Sequence, residues 1–255
     1  MIPPNFPDLA GTTALVTGST RGIGAGLADA LQAAGMRVLR HGSPAHLGSV
    51  GASSGGDDSP LVADLATEQG VNELIQAVGH RTGQLDLLIN NAGVETPGDT
   101  GREMLLRTLA VNLAAPVLLT RGLAPLLEAS GRGSVINITS IHDTVAYAGN
   151  VAYVASKAGL EAAGRTLALE LAGAGIRVNT VAPGAIETDI NREVIDEMGR
   201  DRFESWIPLG RVGAVDDLVA AVLYLASDAS RYVTGSRLLI DGGYSQALLR
   251  YRLDG

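Results

Sequence analysis

Thr12-Thr-Ala-Leu-Val16 runs straight into Thr17-Gly18-Ser19-Thr20-Arg21-Gly22-Ile23-Gly24, and an Ala- and Leu-rich stretch, Ile23 to Ala34, follows and stops at Gly35. The reading is strand, glycine turn, helix. A short apolar run bounded by turn residues is the pattern of a strand buried on both faces. Glycine lets the backbone turn tightly and come close to another group. The helix start behind the turn offers free N–H groups and the positive end of a helix dipole, which together suit a phosphate.

Outward from this unit the same alternation repeats. Arg37–Arg40 reads as a second strand, and Leu85–Ile89 as a third that runs into Asn90-Asn91-Ala92-Gly93. Met104–Leu127 is a long helical stretch, interrupted at Pro116, and Ser134–Ile138 is a strand. Val151–Leu171 (helix), Ile176–Val181 (strand), Asp216–Ala226 (helix) and Leu238–Ile240 (strand) complete the series. Short apolar strands alternating with helices predict an α/β fold: a single-domain, doubly wound parallel sheet, Rossmann-like, with helices on both faces. No linker divides residues 1–255. Gly42–Pro60 is rich in Gly, Ser and Asp, so the second crossover helix is expected to be short or frayed. Gly184–Gly210 is a long connection that holds the only Trp, Trp206, and reads as a substrate lid around 185–210.

Composition removes whole classes of function. Of 255 residues, 46% are hydrophobic and 18% charged, which excludes a disordered chain. A net charge of −8 gives no general attraction for nucleic acid or anionic lipid, so neither is expected as a partner. With no cysteine there are no disulfides, thiolate metal sites or cysteine nucleophiles. His41, His46, His80 and His142 are scattered, and no catalytic metal is expected. The N-terminus lacks the basic and apolar regions of a signal peptide, and no uncharged apolar run approaches a membrane span of ~18 residues. A cytoplasmic protein is expected. Lys and Arg number 19 together, yet Lys157 is the single lysine: either a chance survivor or a place where Arg does not substitute.

Thr17-Gly-x-x-x-Gly-x-Gly, Asn90-Asn91-Ala92-Gly93, Ser140, Tyr153-Val-Ala-Ser-Lys157 and Pro183-Gly184 stand in one order across the chain. In this the sequence resembles the short-chain dehydrogenase/reductase family. The resemblance implies a nicotinamide cofactor and a catalytic tetrad of Asn112, Ser140, Tyr153 and Lys157. It implies cofactor contacts from Gly18, Ser19, Thr20, Arg21, Gly22, Ile23 and Gly24, from Asp64 and Leu65 at the adenine, and from Asn90, Ala92 and Gly93. Tyr153, Lys157, Pro183, Gly184 and Ile186 join that set, with Thr188 near the nicotinamide carboxamide. It also implies a homotetramer, with the tail Leu248–Gly255 able to dock on a neighbour.

The residues supply their own chemistry. Tyr153 and Lys157 lie four apart and so share one helix face. A cation nearby favours the phenolate, which would let Tyr153 act as general acid/base near neutral or mildly alkaline pH. Ser140, at a strand end, can bond the substrate oxygen. Asn112, a mediocre helix former, is where the family perturbs the helix and holds a water for proton relay. No acid stands at the end of the second strand (Arg40-His41-Gly42-Ser43) to grip a ribose 2′-hydroxyl, and Arg21 can meet a 2′-phosphate, so NADP is favoured over NAD.

For the substrate, Ser140-Ile141-His142-Asp143, Glu95 and Asp241-Gly242-Gly243-Tyr244 are similar to the bacterial glucose 1-dehydrogenase branch, where the residues matching Glu95 and His142 line the sugar pocket. Glu95, Ser140, His142 and Tyr153 are the candidate ring around a polyhydroxylated substrate, with Trp206 either stacking on it from the lid or filling the lid's own core. Three readings stand: an aldose or polyol dehydrogenase, a 3-oxoacyl or other ketone reductase of the same family, and a non-catalytic cofactor-binding protein.

Overall fold

The computed structural model describes residues 6–47, 59–96, 98, 101–188 and 192–247. Seven strands form one sheet: β1 (Thr13–Val16), β2 (Arg37–Gly42), β3 (Leu61–Val62), β4 (Leu87–Asn90), β5 (Ser134–Ile138), β6 (Arg177–Pro183) and β7 (Arg237–Ile240). All pairings are parallel, in the order β3-β2-β1-β4-β5-β6-β7. The order reverses between β1 and β4, and that is where an open α/β sheet leaves a crevice outside its carboxyl ends.

The helices are α1 (Gly22–Ala33), α2 (Pro44–Leu47), α3 (Glu68–Arg81), α4 (Arg102–Leu109), α5 (Ala115–Ala129), α6 (Val151–Leu171), α7 (Arg192–Glu197), α8 (Arg200–Glu204) and α9 (Asp216–Ala226). They cover both sheet faces, and neighbouring residues of one strand serve opposite layers. Leu15, Leu88, Val135 and Val178 pack with Leu74 of α3, Leu119 and Leu123 of α5 and Leu167 of α6. Ala14, Val16, Ile89, Ile136 and Val181 pack instead with Leu27 and Leu31 of α1 and Leu218 and Val222 of α9. Each enclosed Leu, Ile or Val contributes about 1.5–3 kcal/mol of transfer free energy, so strands two-faced in this way cannot slip register without exposing both layers.

Several expectations are revised. The strand Leu61–Val62 and the helix α3 were not among the elements read from the sequence. Thr67 caps α3, its hydroxyl accepting from the Gly70 N–H at 3.0 Å. Of the second crossover, the described residues hold one helical turn, α2; residues 48–58, on which the expectation of a short or frayed helix also falls, lie outside the described residues. Pro116 does not interrupt the helix: Arg102–Ala129 is continuous through a wide π-turn at Ala110–Ala114. That turn has already displaced the hydrogen-bond ladder, so the missing N–H of Pro116, at the start of α5, is tolerated there. By length and composition this one helix could cross a membrane, but Leu119, Leu123 and Leu127 are enclosed in the core. The segment 185–210 carries α7 and α8, with a small core of its own made by Ile195, Ile207 and Val212. The tail Leu248–Gly255 lies outside the described residues.

Candidate active site

The turns after β1, β4, β5 and β6 meet at the carboxyl edge of the sheet. The Thr17 hydroxyl donates to the Ile89 carbonyl at 3.2 Å and accepts from the N–H groups of Asn91 and Ala92, each at 3.0 Å. The Asn91 amide donates back to the carbonyls of Thr17 (2.9 Å) and Gly18 (3.2 Å). These bonds lock the glycine turn against the Asn90–Gly93 turn. The contact is close enough to require glycine: Gly18 has φ +63°, and a Cβ on it would sit 2.9 Å from the Ala92 Cα.

The turn has an inner and an outer side. Ser19 faces inward: its hydroxyl donates to the Val16 carbonyl (2.8 Å) and accepts from the His41 N–H (3.0 Å), and its own N–H goes to the His41 carbonyl (2.9 Å). His41 lies beneath the turn, its Nδ1 accepting from the Gly18 N–H at 3.2 Å and its Nε2 bonded to the Ala63 carbonyl at 3.1 Å. Burial lowers its pKa, so the ring is held neutral. Outward stand Thr20, the exposed Arg21 and the start of α1, whose N-terminus has no side-chain cap. Arg40 is committed elsewhere, to Asp29, Gln32 and the Ser19 carbonyl. Asp64 accepts from the Ala66 N–H at 3.0 Å and lies 3.8 Å from Arg107. The Leu65 side chain belongs to the core. Asn90 is enclosed, its amide donating to Asn137 (2.9 Å) and Thr120 (3.2 Å), so it ties β4 to β5 and α5. Pro183 ends β6, Ile186 is buried, and a Cβ on Gly22 would lie 3.7 Å from Thr188 Cγ2, so the chain after β6 passes beside the glycine turn. A Cβ on Gly93 would lie 3.5 Å from Lys157 Nζ. An uncapped helix start, a glycine surface and an ammonium along one crevice fit an extended anionic dinucleotide.

The four tetrad residues converge deeper in the crevice. Asn112 lies in the π-turn with no exposed surface; its Oδ1 accepts from the Val94 N–H (2.8 Å), and its Nδ2 donates to the Val94 carbonyl (2.9 Å) and to Ser156 Oγ (3.1 Å). The side chain is thus a staple for the 93–95 turn. Pro116, four residues on, has no N–H to give the Asn112 carbonyl. Lys157 Nζ donates to the Ile138 carbonyl at 2.9 Å and lies 5.6 Å from the centre of the Tyr153 ring. The expectation of a lowered tyrosine pKa is overturned. Burial, and then the Glu95 charge, push the Tyr153 phenol up to about 12, against a pull downward from Ser140. Burial takes Lys157 down to about 8, with Glu95 and Asp143 opposing. Helix spacing puts the two on one face, but the largest influence on the protonation of each is its own burial.

On the open side stand Glu95 and His142. Glu95 is surface-accessible at the crevice mouth, yet crowded enough that desolvation raises its pKa while His142 and Lys157 lower it. Asn150 donates to its Oε1 at 3.1 Å. The His142 ring stacks on Tyr147 at 4.6 Å, meets Tyr153 edge-on at 6.4 Å, and has Nδ1 bonded to the Val145 carbonyl at 3.1 Å. Glu95, Ser140, His142 and Tyr153 are therefore brought together. Trp206 is not: it packs on Phe203 (5.5 Å) and under Arg202 (5.7 Å), in an aromatic cluster within the segment 185–210. Asn150, Tyr147 and Thr17 were missed as site residues, and only Thr17, next to the glycine turn, had a local signal.

The family model described as enoyl-(acyl carrier protein) reductase matches residues 18–245. The chain belongs to the short-chain dehydrogenase/reductase family. It is 38% identical over 248 residues to 3beta-hydroxysteroid dehydrogenase 1 of Eggerthella lenta, covering 93% of this chain and 95% of that one. It is also 38% identical to the L-rhamnose 1-dehydrogenase (NAD(P)(+)) of Azotobacter vinelandii, over 91% of this chain and 95% of the other. Among solved structures, a gluconate 5-dehydrogenase from Burkholderia cenocepacia in complex with NADP and tartrate superposes with a TM-score of 0.85 at 31% identity, over 96% and 99% of the two chains. As a short-chain dehydrogenase/reductase the protein is an oxidoreductase acting on CH–OH groups.

Proposed function

We propose that the protein is an NADP-preferring dehydrogenase of an aldose or polyol. The observation that carries this is the polar rim: Glu95, oriented by Asn150, and His142, held by Tyr147 and Val145, both face Tyr153. Buried hydroxyls must be paired, and this rim offers a carboxylate acceptor and an imidazole Nε2 beside the reacting oxygen. The relatives divide evenly between a sugar and a steroid alcohol at 38% identity, so the rim rather than the likeness supports the choice.

A bound nicotinamide cofactor supplies the hydride acceptor. Ser140 bonds the substrate oxygen and holds the carbinol in line. In its phenolate form, Tyr153 would take the hydroxyl proton as the carbinol carbon gives up its hydride, and the C–O single bond would become a carbonyl. Lys157, with one of its three donors on the Ile138 carbonyl, has two left for a ribose hydroxyl and a water near Asn112. Gly42 offers no carboxylate to a ribose, Arg21 stands exposed at the rim of the turn, and the gluconate 5-dehydrogenase was solved with NADP; together these support NADP over NAD.

A second reading, reduction of a 3-oxoacyl or other ketone, is favoured by one observation: a phenol raised to about 12 is held protonated, ready to give its proton to a carbonyl. The complete tetrad argues against a non-catalytic cofactor-binding protein. Assembly as a homotetramer is supported by the exposed Leu105, Leu106 and Leu118 of α4 and α5 and Val151 and Leu169 of α6; a monomer mass by light scattering would refute it. The test of function is the initial rate of NADP and NAD reduction across aldoses and polyols at mildly alkaline pH. Turnover of a sugar is expected. Binding of NADPH without turnover of any sugar, together with reduction of an acetoacetyl thioester, would replace the first reading by the second.

A further inference from the structure

Asp143 lies three residues after Ser140, in the single 3-10 turn Ile141–Asp143. Its carboxylate has no exposed surface, while the Arg237 side chain is 20% exposed. The guanidinium grips both oxygens, Nε to Oδ2 at 2.9 Å and Nη2 to Oδ1 at 2.6 Å. Thr139, the residue before Ser140, donates its hydroxyl to Oδ2 at 2.9 Å. The turn is closed by the Asp143 N–H on the Ser140 carbonyl (3.0 Å) and the His142 N–H on Ser140 Oγ (3.2 Å). Arg237 opens β7, opposite Thr180 of β6. A bidentate fork thus bolts the turn that presents Ser140 and His142 to a strand 94 residues away.

Fold stability alone is a poor reason for this arrangement. Enclosing an ion pair costs so much desolvation that apolar residues of the same volume often stabilise as well or better. What the pair does better than apolar packing is direct: a planar fork fixes both distance and orientation. It also places a charge in the site. We infer that the Arg237–Asp143 ion pair is a positioning device for the reaction, setting where Ser140 and His142 stand and the field at Tyr153. This rests on the proposed roles of Ser140 and Tyr153. The Asp143 charge acts upward on both the Tyr153 phenol and the Lys157 ammonium, beside the larger effects of burial and Glu95. The groups facing Tyr153 are Glu95 from the β4 turn, Ser140, His142 and Asp143 from the β5 turn, Tyr147, and Lys157 from its own helix. Those facing Arg237 are Asp143, Glu161 and Asp241.

The test uses the full chain and Asp143→Asn, Arg237→Lys, Ser140→Ala and Tyr153→Phe variants. Tyr153 ionisation is read by phenolate absorbance against pH, each background differenced against the same background carrying Tyr153→Phe. Turnover is read with NADP and L-rhamnose or D-glucose, and folding by thermal melting. Asp143→Asn is expected to lower the phenolate midpoint by roughly one pH unit, because it removes a like charge and leaves a guanidinium. It is expected to lower kcat about 10- to 100-fold through misplacement of Ser140, with NADP affinity retained. Arg237→Lys keeps the charge and loses the fork, so it should hold the midpoint and still lower kcat. A purely structural pair would lower the melting temperature and leave the midpoint in place; that result overturns the inference. If Asp143→Asn does not fold, wild-type kcat in Arg237→Lys overturns it instead. If the wild type turns over neither sugar, the midpoint decides alone. Full turnover by Tyr153→Phe or Ser140→Ala would sink the underlying site assignment, whatever the ion pair does.

Discussion

Asn112→Leu is the most informative single change in the tetrad, because it keeps the shape of the side chain and deletes its amide. Three hydrogen bonds are lost, two to the Val94 backbone (2.8 and 2.9 Å) and one to Ser156 (3.1 Å). At a net ~1 kcal/mol each the loss is about 3 kcal/mol. The half-buried Val94 backbone can regain water, which keeps the cost near that sum rather than above it. For a chain of this size each kcal/mol moves the melting temperature ~2–4 °C, so the variant should melt ~6–12 °C lower. The released segment carries Gly93, beside Lys157, and Glu95, so NADP affinity and sugar KM should weaken together. Asn112→Asp sharpens the reading. It still accepts from the Val94 N–H but sets a buried carboxylate against the Val94 carbonyl, so it should be the less stable of the two at pH 7 and recover as the carboxyl protonates on acidification. Differential scanning calorimetry, NADPH fluorescence titration and steady-state rates measure these terms. A melting point within 2 °C of wild type, with unchanged KM, would refute the staple and leave Asn112 to act through its main-chain carbonyl alone.

Tyr153→Phe should fold and bind NADPH with wild-type affinity yet lose most turnover, since it removes the group that carries the proton; stopped-flow hydride transfer checks this directly. Glu95→Gln removes a charge that raises the Tyr153 phenol, so the acid limb of the sugar-oxidation pH profile should move to lower pH, with a higher KM for polyhydroxylated substrates. Stability should depend on pH in a defined way. Lys157 titrates at about 8 when folded against 10.5 unfolded, so the unfolded chain binds the extra proton and stability rises from pH 8 towards 10.5. Tyr153, at about 12 folded against 10.0 unfolded, gives stability that is full below pH 10 and lost from there to 12. Urea midpoints against pH should therefore climb above 8 in the wild type, and the climb should be missing in Lys157→Met.

The parts legible in the sequence share a cause. β1, the glycine turn and α1 are local, set by an apolar run, special backbone positions and a helix former series within 24 residues, and the structure follows them closely. Tyr153 and Lys157 were legible as neighbours because helix geometry alone joins them. Their protonation was not, because it depends on burial by residues from β4, β5 and their turns. The helix α3 could have been read, since Val71, Leu74 and Val78 keep helical period; the polar residues between them hid it. The pairing of Arg40 with Asp29 and Gln32, a turn apart on α1, was not legible because nothing in the sequence places that helix face beside the end of β2. For Trp206 the residue type alone allows both stacking and core packing, and Phe203, three residues earlier, draws it into core packing. The Asp143–Arg237 pair joins positions with no local signal at all.

The electrostatics of the crevice lead to one more consequence. With Tyr153 at about 12 and Lys157 at about 8, burial favours the neutral form of both groups, and the nearby carboxylates Glu95 and Asp143 oppose a phenolate further. Oxidation of an alcohol needs that phenolate, or a path for its proton to leave. A positive ring seated against Tyr153 would lower the phenol by the same rule that lets Glu95 raise it. Oxidised nicotinamide carries that charge and the reduced form does not. Linkage then works in both directions: whatever lowers the Tyr153 pKa on binding must itself bind more tightly when Tyr153 is ionised. The oxidised cofactor should therefore release a proton on binding at mildly alkaline pH, and its affinity should rise with pH. The reduced cofactor should bind with little proton exchange and prefer the protonated phenol, the state that donates to a carbonyl. Calorimetric titration in two buffers of different ionisation enthalpy measures the protons directly. Equal proton release by both cofactor forms would show that Tyr153 is not coupled to the nicotinamide charge.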